Sequence, residues 1–174
     1  MMQEQEQSGV GYLEATLLPA QEGEVLELDE VWSYVFKKTN QVWIWLALCR
    51  RTRQIVAWMP GPRDHITLKQ LWNKIPGSYK TGTCFTDFWS SYSKIIPQEQ
   101  HHAGGKDQGE TNHLERFNCT MRQCVPRLVR KTLSFSKRHL WHFRFIRLFL
   151  VNYNQRKAKA YLRSLARTAT FTRH

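Results

Sequence analysis

Residues 25–36 read VLELDEVWSYVF, and residues 42–51 read VWIWLALCRR. The first stretch is β-branched and aromatic, and it alternates. On a strand, Glu27, Asp29, Val31 and Ser33 fall on one face, with Leu26, Leu28, Glu30 and Trp32 on the other. The second stretch is almost continuously apolar, the pattern of a strand buried on both faces. Lys37-Lys38-Thr39-Asn40 is a polar turn between them. A second turn at Arg51-Thr52-Arg53 leads to a third strand over 54–59, which Pro60-Gly61-Pro62 ends. Three adjacent strands joined by tight turns predict an antiparallel meander.

Helices and strands then alternate. Asp64 is placed to cap a helix over 65–75, whose apolar side is Ile66, Leu68, Leu71, Trp72 and Ile75. Pro76-Gly77 stops it. TGTCFT (81–86) is a short strand with Asp87 at its end, followed by a short helix over 88–95 and a weak strand over 99–103. A strong helix is predicted from 110 to 125, ended by Pro126 and preceded by a capping-box sequence at Asp107-Gln108-Gly109-Glu110. A last helix is predicted over 134–165, with Ser134 as its cap. The order describes an α/β domain, a mixed five-stranded sheet flanked by helices. Residues 1–24, Gln/Glu-rich with Pro19 and Gly23, read as a flexible leader. Residues 25–133 form the domain body, and 134–174 a basic C-terminal helix packed on it, with a tail.

Charge is distributed unevenly. The chain of 174 residues carries 26 Lys or Arg and 14 Asp or Glu. From Arg116 to His174 there are 15 basic residues and no acid, leaving 11 basic against all 14 acidic residues before that point. A near-neutral body with a purely basic last third suits a polyanion, nucleic acid first and an anionic membrane surface second. Met1–Leu18 has neither the basic start nor the apolar run of a signal peptide. Leu140–Tyr153 is interrupted by His142, Arg144 and Arg147, so no stretch approaches a membrane span of about 20 residues. Four cysteines make no disulfide framework in this length, and the spacing of His101, His102, His113, Cys119 and Cys124 is poor for zinc. Buried small hydrophobes is the better reading of the cysteines. A reduced, cytoplasmic, nucleoid-associated protein with no membrane contact is expected.

Three acids stand out by position. Asp29 lies mid-strand in an apolar segment, Asp87 ends the fourth strand, and Glu115 lies inside the strong helix. A carboxylate in apolar surroundings needs a partner or a metal. At 100° per residue, Asn112, Glu115, Cys119 and Arg122 share one side of that helix, and Leu114, Phe117, Met121 and Val125 another. Glu115 thus borders the core side without joining it. Three oxygen ligands from two strands and a helix would bind one or two hard cations, Mg²⁺ or Mn²⁺. Two such ions clamp an in-line phosphoryl displacement. Glu27 shares the face of Asp29 and competes for the ligand role, whereas strand alternation sends Glu30 to the other face. In the tail, Lys137, Arg138, Arg144 and Arg147 are interleaved with aromatic residues and are candidates for phosphate contacts.

LDEVWSYV, FTDFWSSY and NHLERFNCTMR, in this order between Glu24 and Asn154, resemble the DDE transposases of the IS-one insertion-element family, and specifically their second-frame catalytic part. The resemblance implies an RNase H-like fold with Asp29, Asp87 and Glu115 as catalytic metal ligands. Arg122, seven residues after the Glu, stands where such enzymes frequently carry a Lys or Arg. It further implies cleavage at the element ends and strand transfer into target DNA. A homo-oligomeric synaptic complex and fusion to an upstream-frame DNA-binding protein are the partners expected with it. The competing functions are a structure-specific nuclease of similar fold, and a non-catalytic basic DNA-binding or regulatory protein.

Overall fold

The computed structural model describes residues 12–104, 111–128 and 134–171. The three meander strands are β1 (Leu26–Tyr34), β2 (Gln41–Cys49) and β3 (Ile55–Gly61). Then follow α1 (His65–Lys74), β4 (Cys84–Thr86), β5 (His101–Ala103), α2 (Asn112–Cys124) and α3 (His139–Phe171). The sheet order is β3-β2-β1-β4-β5. β1–β2 and β2–β3 are antiparallel, while β4 runs parallel to β1, and β5 parallel to β4. This is the mixed, helix-flanked sheet of an RNase H-like fold.

The sheet separates two cores, and β2 contributes to both. Ile44, Leu46 and Leu48 pack with Val31, Leu114, Phe117, Met121, Ile146 and Leu150, which joins β1 and β2 to α2 and α3. Trp45, Ala47 and Cys49 pack with Leu26, Leu28, Leu68 and Leu71, under α1. Continuous apolarity in β2 therefore has its expected cause, burial on both faces. Asp64 caps α1 as its sequence suggests, its side chain accepting from the Thr67 N–H at 2.7 Å.

Several boundaries differ from expectation. The segment 88–95 is not a helix; it holds only a 3-10 turn at Tyr92–Lys94. Asp87 instead accepts the Trp89 N–H at 3.0 Å, an Asx-type turn. Trp89 and Tyr92 then swing against Trp45. The last helix starts at His139 rather than Ser134, and it runs on to Phe171. Ahead of it, Ser136 is fully buried and bonded to His142, which fixes the chain outside helical geometry. Cys119 and Cys124 are exposed, against the expectation of burial, while Cys49 and Cys84 are buried. Cys119 lies off the Leu114–Met121 stripe of α2, and Cys124 is the last residue of that helix. The capping-box residues 107–110 lie outside the described residues, as do leader residues 1–11.

Residues 12–24 are fastened to the body. Leu13 is buried in the α3 core. Gln54 receives the Leu18 N–H at 2.9 Å and donates to the Thr16 carbonyl at 2.6 Å. Glu24 pairs with Arg51. Asn154, fully buried on α3, accepts the Ile55 N–H at 2.8 Å and donates to the Ile55 carbonyl at 2.9 Å. That side-chain amide satisfies the edge of β3 beside the register shift at Ala47/Leu48, and locks α3 to the sheet. No helix among the described residues is long and apolar enough to cross a membrane.

Candidate metal centre

Register explains how the acids meet. β4 pairs with β1 only at Leu26↔Cys84 and Glu27↔Phe85, and ends at Thr86. Beyond that point β1 has no neighbour strand on this side among the described residues, and Asp87 leaves the sheet level with the open edge. Side chains from both faces of β1 can reach round an unpaired edge. Carboxylate oxygens of Asp29, Glu30 and Asp87 accordingly lie within 4.8 Å of one another.

These three acids line a cavity of about 470 Å³ together with Trp43, Arg63, Gly104, Thr111, Glu115, Asn118, Cys119 and Arg122. α2 supplies the last four of these from one flank, which places Glu115 and Arg122 at the acidic site. Glu115 lies outside the tight cluster; Thr111 Oγ1 donates to its carboxylate at 3.4 Å. Asn112 is exposed and does not line the cavity. Asn118, which the sequence did not single out, does so instead. It is buried, donates to Asp29 Oδ2 at 2.8 Å, and its Oδ1 has no hydrogen-bond partner among the described residues.

The cluster is electrostatically loaded. Burial, with the charges of Glu30, Asp87 and Glu115, pushes the Asp29 carboxyl up to about 7. Burial also raises Glu30. Arg63 is the cation that meets them: its Nε donates to Glu30 at 2.5 Å, and Nη2 is 3.9 Å from Asp87. Trp43 and Trp89 hold the guanidinium between their rings, at 5.4 and 5.2 Å from its carbon. Tyr92 donates to the other Glu30 oxygen at 3.2 Å. Glu30 is thus the most fully partnered acid of the cluster.

Glu27 faces the same way as Asp29 yet is used differently. Its fully buried carboxylate accepts the N–H groups of His113 and Leu114, at 3.1 and 2.9 Å, and pairs with Arg50 at 2.8 Å. An anion at a helix N-terminus meets unpaired N–H groups and the positive end of the dipole. Glu27 therefore caps α2 from the strand, and both of its oxygens are engaged.

Donor chemistry fits a hard divalent ion. The available groups are carboxylates and an unpartnered amide oxygen, and one carboxyl is held near neutrality by burial and its neighbours' charge. His101 is not among the donors: it bonds Thr86 Oγ1 at 2.8 Å, and His102 packs on Phe85. In the basic segment, Lys137 and Arg138 are exposed. Arg144 stacks on Trp141, and Arg147 on Tyr12. A larger groove of about 820 Å³, between the end of α2 and α3, is lined by no acid among the described residues.

Comparison with known proteins gives a consistent result. The IS1 transposase family model matches residues 24–156. Insertion element iso-IS1n protein InsB of Shigella dysenteriae is 34% identical over 126 residues, covering 72% of this chain and 93% of that protein. Insertion element IS1 protein InsB of Shigella flexneri is 35% identical over 111 residues, covering 64% of this chain and 82% of the relative.

Proposed function

Because the chain belongs to the IS1 transposase family, we propose that its acidic cluster is the centre through which a DDE-type transposase cuts and joins DNA. Asp29, Asp87 and Glu115 are the ligands in this reading, and Mg²⁺ or Mn²⁺ the ion. The observation that carries it is the convergence of carboxylates at the open edge of β1, from residues far apart in sequence. Bound there, one or two such ions would activate the attacking hydroxyl and stabilise the leaving oxygen of an in-line displacement.

This chain's residues supply the rest. Asn118 fixes one Asp29 oxygen. Glu115 approaches from α2, and needs only to release Thr111. Arg63 holds Glu30 back, so this acid balances charge rather than binding the ion. Arg122 grips a phosphate beside the one being cut. Lys137, Arg138, Arg144 and Arg147 hold flanking DNA through its backbone. The DNA is an insertion-element end and its target, handled by a homo-oligomer of this chain in the cytoplasm at the nucleoid. An upstream-frame DNA-binding protein, fused to it, reads the ends. Residues 25–133 make up the catalytic unit, and 134–174 the basic C-terminal region that contains α3.

The test uses Asp29→Asn, Asp87→Asn and Glu115→Gln singly, assayed for cleavage and strand transfer with Mg²⁺ or Mn²⁺, with calorimetric metal binding and circular dichroism alongside. Each should lose activity and weaken metal binding while keeping its fold. Full activity in any one removes that residue from the ligand set. DNA binding without any divalent-dependent cleavage would favour the regulatory alternative.

A further inference from the structure

α2 has a second working flank. Turned away from the acids, His113, Arg116 and Thr120 face Arg53, Tyr153 and Lys157 around a separate cavity of about 290 Å³. Arg53 comes from the turn between β2 and β3, where it adopts a left-handed φ of 61°. That conformation is costly for a residue other than glycine. Lys157 comes from α3, its ammonium 5.2 Å from the Tyr153 ring.

The cations here are treated unlike others in the body. Arg50, Arg51 and Arg63 each pair with a carboxylate: Glu27, Glu24 and Glu30. Among the described residues, no carboxylate pairs with Arg53, Arg116 or Lys157. Glu27, whose charge reaches this flank through His113, is already used by Arg50 and by the end of α2. Burial first, then the charges of Arg53 and Arg156, lower the Lys157 ammonium. Tyr153 is 7% exposed, and its hydroxyl has no hydrogen-bond partner among the described residues. A hydroxyl and three cations lining one pocket, with no carboxylate among the described residues paired to any of them, form an anion site short of its anion.

We propose that this pocket seats a backbone phosphate of duplex DNA, bound by Arg53, Arg116 and Lys157, with the Tyr153 hydroxyl donating to it. The inference rests on the transposase reading for its choice of DNA as the source of the phosphate. The two flanks of α2 are one helix width apart, about 10 Å. A duplex lying across α2 therefore meets the acidic centre on one side and this anchor on the other.

The experiment measures binding of the full chain to a short duplex of unrelated sequence by fluorescence anisotropy, in EDTA, over a range of salt. Arg53→Gln with Lys157→Gln should weaken binding about ten-fold. The slope of log affinity against log salt should become shallower by about 0.9, the signature of one fewer phosphate neutralised. Arg116→Gln, at an exposed helix position, gives the same slope change where folding is not at issue. Tyr153→Phe, which alters no charge, should cost about five-fold; no effect would mean diffuse attraction without a seated phosphate, and overturns the proposal. Wild-type affinity and slope in the folded Arg and Lys variants also overturn it. So does stabilisation of the wild type alone by inorganic phosphate with DNA binding unchanged in the variants, which would assign the pocket to free phosphate. A wild type that binds no duplex at all sinks the DNA reading of the whole chain, a result separate from failure of the pocket.

Discussion

Glu27 Oε2 accepts the backbone N–H of Leu114 at 2.9 Å, so a buried strand carboxylate caps the helix that carries Glu115. The cap and the candidate metal centre are thereby two residues apart on β1, and α2 is tied to the sheet by a carboxylate whose two oxygens are both taken, by Arg50 and by the end of the helix. Glu27→Ala should cost about 3 kcal/mol of stability, because it strips the cap and removes the buried carboxylate that pairs with Arg50. Asp29→Asn should cost almost nothing, since it relieves a repelling charge. Urea unfolding of both variants checks this; equal losses would remove the distinction between cap and ligand.

Metal affinity should depend on pH through Asp29. With its carboxyl near 7 in the metal-free protein, a proton competes with the ion below that pH. Affinity should be about ten-fold weaker at pH 6 than at pH 8 and level off above 8. Calorimetry in buffers of different ionisation enthalpy would detect the released proton near neutrality. An affinity flat across this range would show that Asp29 is already ionised.

Arg122 lies on the acidic flank of α2, two turns beyond Glu115, and lines the same cavity. Arg122→Ala should reduce strand transfer at least ten-fold with metal affinity retained, and Lys should restore part of it, because charge remains while the fork is lost. Strand-transfer yield and metal titration on the same preparations separate the two effects. Equal yields for Arg122→Ala and wild type would return this arginine to the solvated surface.

His142 predicts the acid limit of the fold. It is fully buried between Ser33 and Ser136, at 3.0 and 2.9 Å, and burial drives it down to about 4. The folded value lies below the unfolded one, so the unfolded chain binds more protons between about 4 and 6.5. Stability is complete above 6.5 and is lost as pH falls through that window, by about 3 kcal/mol in all. His142→Gln keeps hydrogen-bonding capacity without the titration, and should flatten thermal stability between pH 6.5 and 4. An unchanged slope would place the acid sensitivity elsewhere.

The strands, and the faces of β1 and β2, are legible because alternation and continuous burial leave direct marks on sequence. So is the core stripe of α2: Leu114, Phe117, Met121 and Val125 are all buried. Alternation sends Glu30 away from Asp29, but beside an uncovered strand edge carboxylates from both faces can still converge, and the length of β4 cannot be read from TGTCFT. Arg63 lies in a loop with no period, so nothing marks its place between two tryptophans. Asn118 sits between the polar and apolar sides of α2, and its role follows only from the approach of Asp29. Asn154 is one polar residue in a basic helix, and only the edge of β3 explains it.

Because β4 ends early, at Thr86, the chain should tolerate changes in length unevenly. The notch beside Asp29 exists because β4 stops short; two more paired residues would fill it with backbone and part Asp29 from Asp87. Insertions in the turn between β1 and β2 have no such effect, being at the far end of the same strand. Length variation should therefore be permitted there and forbidden between Cys84 and Asp87, where the number of residues decides where the Asp87 carboxylate emerges.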